Sequence, residues 1–223
     1  MYSIYNISSY VLENKKTNNV IKKVSEISDF HENTNDEEIE YDINFNELQM
    51  TNSDFVGYLI VPGTDISQPV VKGIDNSYYL NHNYYKEYDV AGWLFADYQN
   101  KFDGTDKNII IYGHNMKTGT MFGSLKNILT NDWYENLDNR YIYFITENDT
   151  NKYEVFSVYK VESEDYYRTT NFGEKNFLDF VKTIKLRSIY NFNIDINLND
   201  SIITLSTCHA DNRYRVVLHA KKI

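Results

Sequence analysis

Cys208 is the only cysteine in this 223-residue chain, and it ends the run Ser201-Ile202-Ile203-Thr204-Leu205-Ser206-Thr207. That β-branched, apolar text predicts a buried strand whose thiol emerges where the strand runs out into a loop. Arg215 follows and opens a second strand, Val216-Val217-Leu218. Upstream, Asn108-Ile109-Ile110-Ile111-Tyr112-Gly113 reads as another strand, and it delivers His114. A thiol, an imidazole and a guanidinium at strand ends are the parts of a thiol acyl-transfer site. A thiolate is a strong nucleophile and afterwards a good leaving group. An imidazole titrates near neutrality and can give or take a proton. A guanidinium keeps its charge, so it suits holding substrate or an oxyanion rather than acid–base work. A free cysteine taken alone is as often a small buried hydrophobe.

The other candidates are weaker on spacing. His31 lies in an acidic stretch and His82 in a Tyr/Asn-rich turn, both readable as plain surface residues. His209 adjoins Cys208, but neighbours on extended chain point to opposite sides. His219 shares strand parity with Arg215, as does Arg213, and either could approach the site. A zinc site built from Cys208, His209 and His219 lacks a recognisable ligand spacing, so no metal is expected.

The positioning elements can be read along the chain. Residues 1–54 read as a polar helical extension, with Val20, Val24 and Ile27 at helical spacing and a break near 31–38. From Phe55 the text changes to short strands: 57–61, 69–71, 92–96, 109–112, 141–145 and 153–159, then the two that flank Cys208. Asp75-Asn76-Ser77 reads as a helix start, and residues 121–137 as two short helices. Phe177, Phe180, Val181 and Ile184 share one helical face. The expected fold is mainly β with helices, eight short strands closing into a barrel over 55–223.

Composition narrows the function. The net charge is −10, but residues 25–54 hold ten of the 32 acids and no Lys or Arg, leaving 22 acidic against 22 basic residues elsewhere. A balanced body without a basic stripe argues against nucleic acid as partner. No run approaches the ~20 apolar residues of a membrane span.

The text around these elements resembles the class B sortases, cell-wall transpeptidases of Gram-positive bacteria. The resemblance is carried by Asn52-Ser53-Asp54-Phe55-Val56-Gly57-Tyr58, Val61-Pro62-Gly63-Thr64, Gln68-Pro69-Val70-Val71 and Asp75-Asn76-Ser77-Tyr78-Tyr79-Leu80. It continues through Ile111-Tyr112-Gly113-His114-Asn115-Met116, Thr204-Leu205-Ser206-Thr207-Cys208 and Arg215-Val216-Val217. Tyr58 departs from the family's usual Trp, and the loop from Cys208 to Arg215 is short.

The resemblance implies an eight-stranded sortase-like β-barrel with N-terminal helices and a long helix between strands six and seven, where the helical text at 171–190 falls. It implies Cys208 as nucleophile, His114 as acid and base, and Arg215 as stabiliser, with no cofactor. Ser163 and Tyr167, in the segment between strands six and seven, and Ser206, two before the thiol, are candidate substrate contacts. The implied partners are a C-terminal sorting-signal peptide of NPQTN or (S/P)PxTG type and an amine of peptidoglycan or its lipid-linked precursor. The implied location is the extracytoplasmic face of the cell membrane, held by an N-terminal anchor preceding this sequence. The rival readings are a housekeeping or pilus-polymerising sortase and a non-catalytic surface-binding module on the same fold.

Overall fold

The computed structural model describes residues 2–35, 38–172, 174–208 and 213–223. Eight strands close into a barrel: β3 (Phe55–Val61), β4 (Ile66–Val71), β5 (Phe95–Ala96), β6 (Asn108–His114), β7 (Tyr141–Thr146), β8 (Asp149–Glu162), β9 (Ile202–Cys208) and β10 (Tyr214–Lys222). Their order around the barrel is β10-β8-β7-β3-β4-β5-β6-β9, closed by the pairing of β9 with β10. Every pairing is antiparallel except β4 with β5 and β6 with β9. Parallel strands are covered on both faces and read as continuous apolar runs rather than alternating ones. Ile202–Thr207 fits this, being buried at every position.

Two apolar clusters flank the sheet. The larger fills the barrel with Leu59, Val70, Phe95, Ile111, Phe144, Val158 and Leu205. The smaller lies outside, where helix α4 (Glu174–Arg187) lays Phe177, Phe180, Val181 and Ile184 over Phe156, Tyr159, Ile202 and Val217. These helix residues sit at i, i+3, i+4 and i+7, the spacing of a single face. α4 falls between the sixth and seventh barrel strands, as the sequence implies.

The N-terminal segment differs from its helical reading. Helix α1 (Tyr2–Ser28) and helix α2 (Phe45–Thr51) are separated by a hairpin of β1 (His31–Asn35) and β2 (Glu38–Asp42). Tertiary contact selects strand here: the Tyr41 ring packs edge-on to Tyr143 at 5.1 Å and against Phe30 at 5.8 Å. Val20, Val24 and Leu48 join the barrel's own core cluster. The predicted strand at 92–96 shortens to Phe95–Ala96, while β8 runs longer than its apolar text. A short helix α3 (Asn131–Glu135) follows a 3-10 segment at Gly123–Leu129.

A buried polar chain stitches the sheet together. Thr204 Oγ1 donates to Asn108 Oδ1 at 2.7 Å and meets His219 Nδ1 at 2.8 Å. With its one hydrogen used, Thr204 accepts from Nδ1–H, so Nε2 is left to accept from the Tyr159 hydroxyl at 2.8 Å. Asn108 Nδ2 continues the chain to the Thr169 carbonyl at 2.9 Å. His219 is therefore a core residue with both ring nitrogens engaged.

Burial lowers the His219 pKa from 6.5 to about 3. The folded chain refuses a proton that the unfolded chain accepts, so this contribution to stability is present above pH 6.5 and is lost as pH falls toward 3. Thermal unfolding should show Tm falling across that window, as the unfolding free energy drops by at most about 1.4 kcal/mol per pH unit from this one proton. His219→Gln should lower Tm at neutral pH and flatten its acid dependence; an unchanged acid slope would assign that slope to other groups.

Candidate active site

The parallel ladder of β6 and β9 pairs Asn108 with Ile202 and ends on His114 opposite Cys208. The ladder thereby makes neighbours of two residues 94 apart in sequence. The ladder needs close packing behind it. A Cβ on Gly113 would stand 2.4 Å from Leu94 Cδ2 and 2.9 Å from Phe122 Cγ, so a larger residue before the histidine would have to displace these buried side chains.

Arg215 arrives from the other side. The β9–β10 ladder is regular up to Ser206 opposite Val217. Beyond it, the Val216 N–H bonds Thr207 Oγ1 at 2.9 Å instead of a main-chain carbonyl. Carrying the register onward sets Arg215 across from Cys208. Arg215 and Cys208 both line one cavity of about 530 Å³. Arg213 instead pairs with Glu162 at 3.6 Å, largely exposed. His209 lies outside the described residues. Among the described residues, no group of His, Cys, Asp and Glu could hold a metal ion.

The cavity has three walls. One is the segment after β4, contributing Asn76, Leu80, Asn81, Tyr88 and Val90. The second is β5, β6 and the turn after it, with Phe95, Tyr112, His114 and Met116. Asp97 braces these two, accepting from Asn76 Nδ2 at 2.8 Å and the Tyr112 hydroxyl at 2.9 Å. The third carries Cys208, Arg215 and Arg168.

The candidate contacts Ser163, Tyr167 and Ser206 do not line this cavity. Tyr167 and Ser206 are fully buried and bonded to each other, Ser206 Oγ to Tyr167 Oη at 3.1 Å. Ser163 is exposed, its N–H donating to the Arg213 carbonyl at 2.8 Å. The 3-10 turn Tyr166–Arg168 is the cause: it turns Tyr167 into the core under α4 and leaves the next residue, Arg168, toward the thiol. Strand parity placed Ser206 beside Cys208, and it does share that side, one layer below in the interior. The signal for Arg168 was present in the same segment, as the one cation beside Tyr166 and Tyr167.

His114 is held at both ring nitrogens by carbonyl oxygens: Nδ1 to Cys208 O at 2.9 Å and Nε2 to Leu80 O at 2.7 Å. A carbonyl only accepts, so both bonds form together only when the ring is doubly protonated. A neutral ring keeps one and releases the other. The Cys208 carbonyl also accepts from Asn115 N–H at 3.3 Å, which fixes the strand end.

The thiol is partly open to the cavity and otherwise packed against the barrel core. Burial pushes the Cys208 pKa up from 9.0 to about 11, and Arg168 and then Arg215 pull it back. The site thus holds a largely neutral thiol with two guanidiniums facing it. Such an arrangement can bind a peptide, present a sulfur nucleophile and stabilise negative charge that develops beside it.

A family model described as a sortase domain matches residues 59–223. The chain belongs to the sortase family. It is 35% identical to sortase B of Listeria monocytogenes serovar 1/2a, with 100% of this chain and 92% of the relative covered. It is 32% identical to sortase B of Staphylococcus aureus, covering 80% and 74%. The crystal structure of sortase B from Bacillus anthracis in complex with AAEK1 superposes with a TM-score of 0.83 at 32% identity, covering 96% of this chain and 99% of that one. Sortase B of Clostridium perfringens gives 0.74 at 35% identity, covering 80% and 98%. This sortase is a cysteine transpeptidase of the class B type, and its sole cysteine lines the cavity just described.

Both arginines favour the thiolate, so removing either should raise the Cys208 pKa further. Alkylation by iodoacetamide, followed as a function of pH, should slow near pH 8 in Arg168→Met and in Arg215→Met, and more in the double variant. Unchanged rates in all three would show that neither charge reaches the sulfur.

Proposed function

We infer that Cys208 is the nucleophile, His114 the general acid and base, and Arg215 the stabilising charge of a sorting reaction. The observation that carries this reading is the β6–β9 register, which pairs His114 with Cys208 at the edge of a cavity that Arg215 also lines.

The Cys208 thiol passes its proton to His114 as Sγ attacks the threonine carbonyl carbon of a C-terminal sorting signal, and the carbonyl oxygen takes the electron pair as an oxyanion. Arg215 faces this charge, with Arg168 adding positive potential from the same wall. As the C–N bond breaks, His114 gives its proton to the departing amine, which leaves a thioester on Cys208. An incoming amine then attacks the thioester, His114 takes its proton, and the thiolate is expelled. The bond to Leu80 O bears on this cycle: Nε2 must let go of that carbonyl before it can accept a proton.

The substrate class is a sorting-signal peptide of NPQTN or (S/P)PxTG type, and the acceptor is an amine of peptidoglycan or its lipid-linked precursor. Such a reaction belongs outside the cell membrane, with the enzyme tethered there. Among the described residues no helix is long and apolar enough to cross a membrane.

A panel of fluorogenic peptides, assayed with and without amine acceptors, tests the reading. Cleavage should require threonine at the scissile position, and added amine should divert product from acid to amide. Cys208→Ala should abolish turnover and His114→Ala should lower kcat/KM by at least 10³-fold. Turnover retained by Cys208→Ala would refute the mechanism.

A further inference from the structure

Helix α1 contacts the site through a continuous run of hydrogen bonds. Thr17 Oγ1 donates to Asp89 Oδ1 at 2.8 Å, and both residues are only 4% exposed. Next to it, Lys16 Nζ donates to the Tyr88 carbonyl at 2.8 Å. The Asp89 N–H in turn donates to the Asn81 carbonyl at 3.0 Å, tying the two ends of the 81–89 loop together. Asn81 follows Leu80, whose carbonyl holds His114 Nε2 at 2.7 Å. The path from an N-terminal helix to the acid–base residue thus passes through one short loop, which also forms a cavity wall.

The Asp89 carboxylate makes this joint sensitive. Oδ1 accepts from Thr17 and from Ala91 N–H at 3.0 Å, while Oδ2 is buried with no hydrogen-bond partner among the described residues. A buried carboxylate with so few donors depends on each of them. The far side of the loop is fixed by backbone contact. Gly92 has φ +58°, and a Cβ there would stand 2.2 Å from the Tyr79 carbonyl oxygen. The same Cβ would stand 2.7 Å from the Leu80 carbonyl oxygen, so the Asp89–Gly92 end that Thr17 holds bears directly on the carbonyl that meets His114.

We propose that Thr17, supported by Lys16, is a positioning residue for His114: α1 braces the 80–92 wall so that the Leu80 carbonyl stays within reach of the imidazole. This rests on the reading of His114 as the acid and base. Positioning errors of about 1 Å can lower a rate by up to ~10²-fold.

The test compares Thr17→Val, Thr17→Ser and Lys16→Met with the parent, all well below Tm. Thr17→Val should lower kcat about tenfold with KM within about twofold, and Thr17→Ser, which keeps the hydroxyl, should restore kcat to within about twofold. Lys16→Met, an exposed change, should lower kcat in the same direction and covers the case in which Thr17→Val fails to fold. In protein labelled with ¹⁵N-histidine, the His114 Nε2 signal, assigned through His114→Gln, should shift in Thr17→Val and return in Thr17→Ser. A kcat within twofold of the parent in both Thr17→Val and Lys16→Met, with the His114 signal unmoved, would overturn the proposal. If the parent cleaves no sorting peptide, the functional reading fails, and the His114 signal alone decides the brace.

Discussion

The parallel pairing of β6 with β9 is the constraint on which the rest depends. It makes His114 and Cys208 register partners, although nothing in their local sequence brings them near. A parallel pair needs a long crossover, and here the connection from 115 to 201 includes β7, β8 and α4. That crossover also covers the outer face of β9, where Ile202 joins the cluster under α4, and Ile202–Thr207 are buried at every position. The same chain segment carries Arg168 to the cavity, where its charge opposes the rise in the Cys208 pKa that burial causes.

Buried polar groups hold this arrangement against slippage. The chain Tyr159–His219–Thr204–Asn108 crosses β8, β10, β9 and β6 and ends on the Thr169 carbonyl, next to Arg168. The Ser206–Tyr167 bond anchors the residue on the other side of that arginine. Tyr167 and Ser206, candidate contacts in the sequence, are buried and bonded to each other behind the cavity wall that carries Arg168. Satisfied interior networks of this kind rigidify a core and specify a single arrangement.

The legible parts were those governed by periodicity and by short-range text. The face of α4, the apolar β9 and the histidine-bearing β6 all follow from spacing that a single segment displays. Cys208 and His114 stood out because their residue types are chemically distinctive at strand ends. The illegible parts depend on partners distant in sequence. The β1–β2 hairpin forms where Tyr41 meets Tyr143, and nothing between residues 31 and 42 announces that contact. Tyr167 lies buried and Arg168 lines the cavity because a 3-10 turn sets which of the two faces inward, and spacing alone does not reveal that turn. The wall at 80–92 could not be tied to the site from sequence, since its link to His114 is a backbone carbonyl, and any residue type carries one.

The central claim is that Cys208 carries the acyl group between two peptides. Intact-protein mass spectrometry after acid quench, with a sorting peptide and no amine acceptor, measures this directly. The account predicts an adduct equal to the peptide's portion through threonine less one water, mapped to Cys208 and discharged by added amine. Peptide cleavage without any adduct, or an adduct elsewhere on the chain, would contradict it.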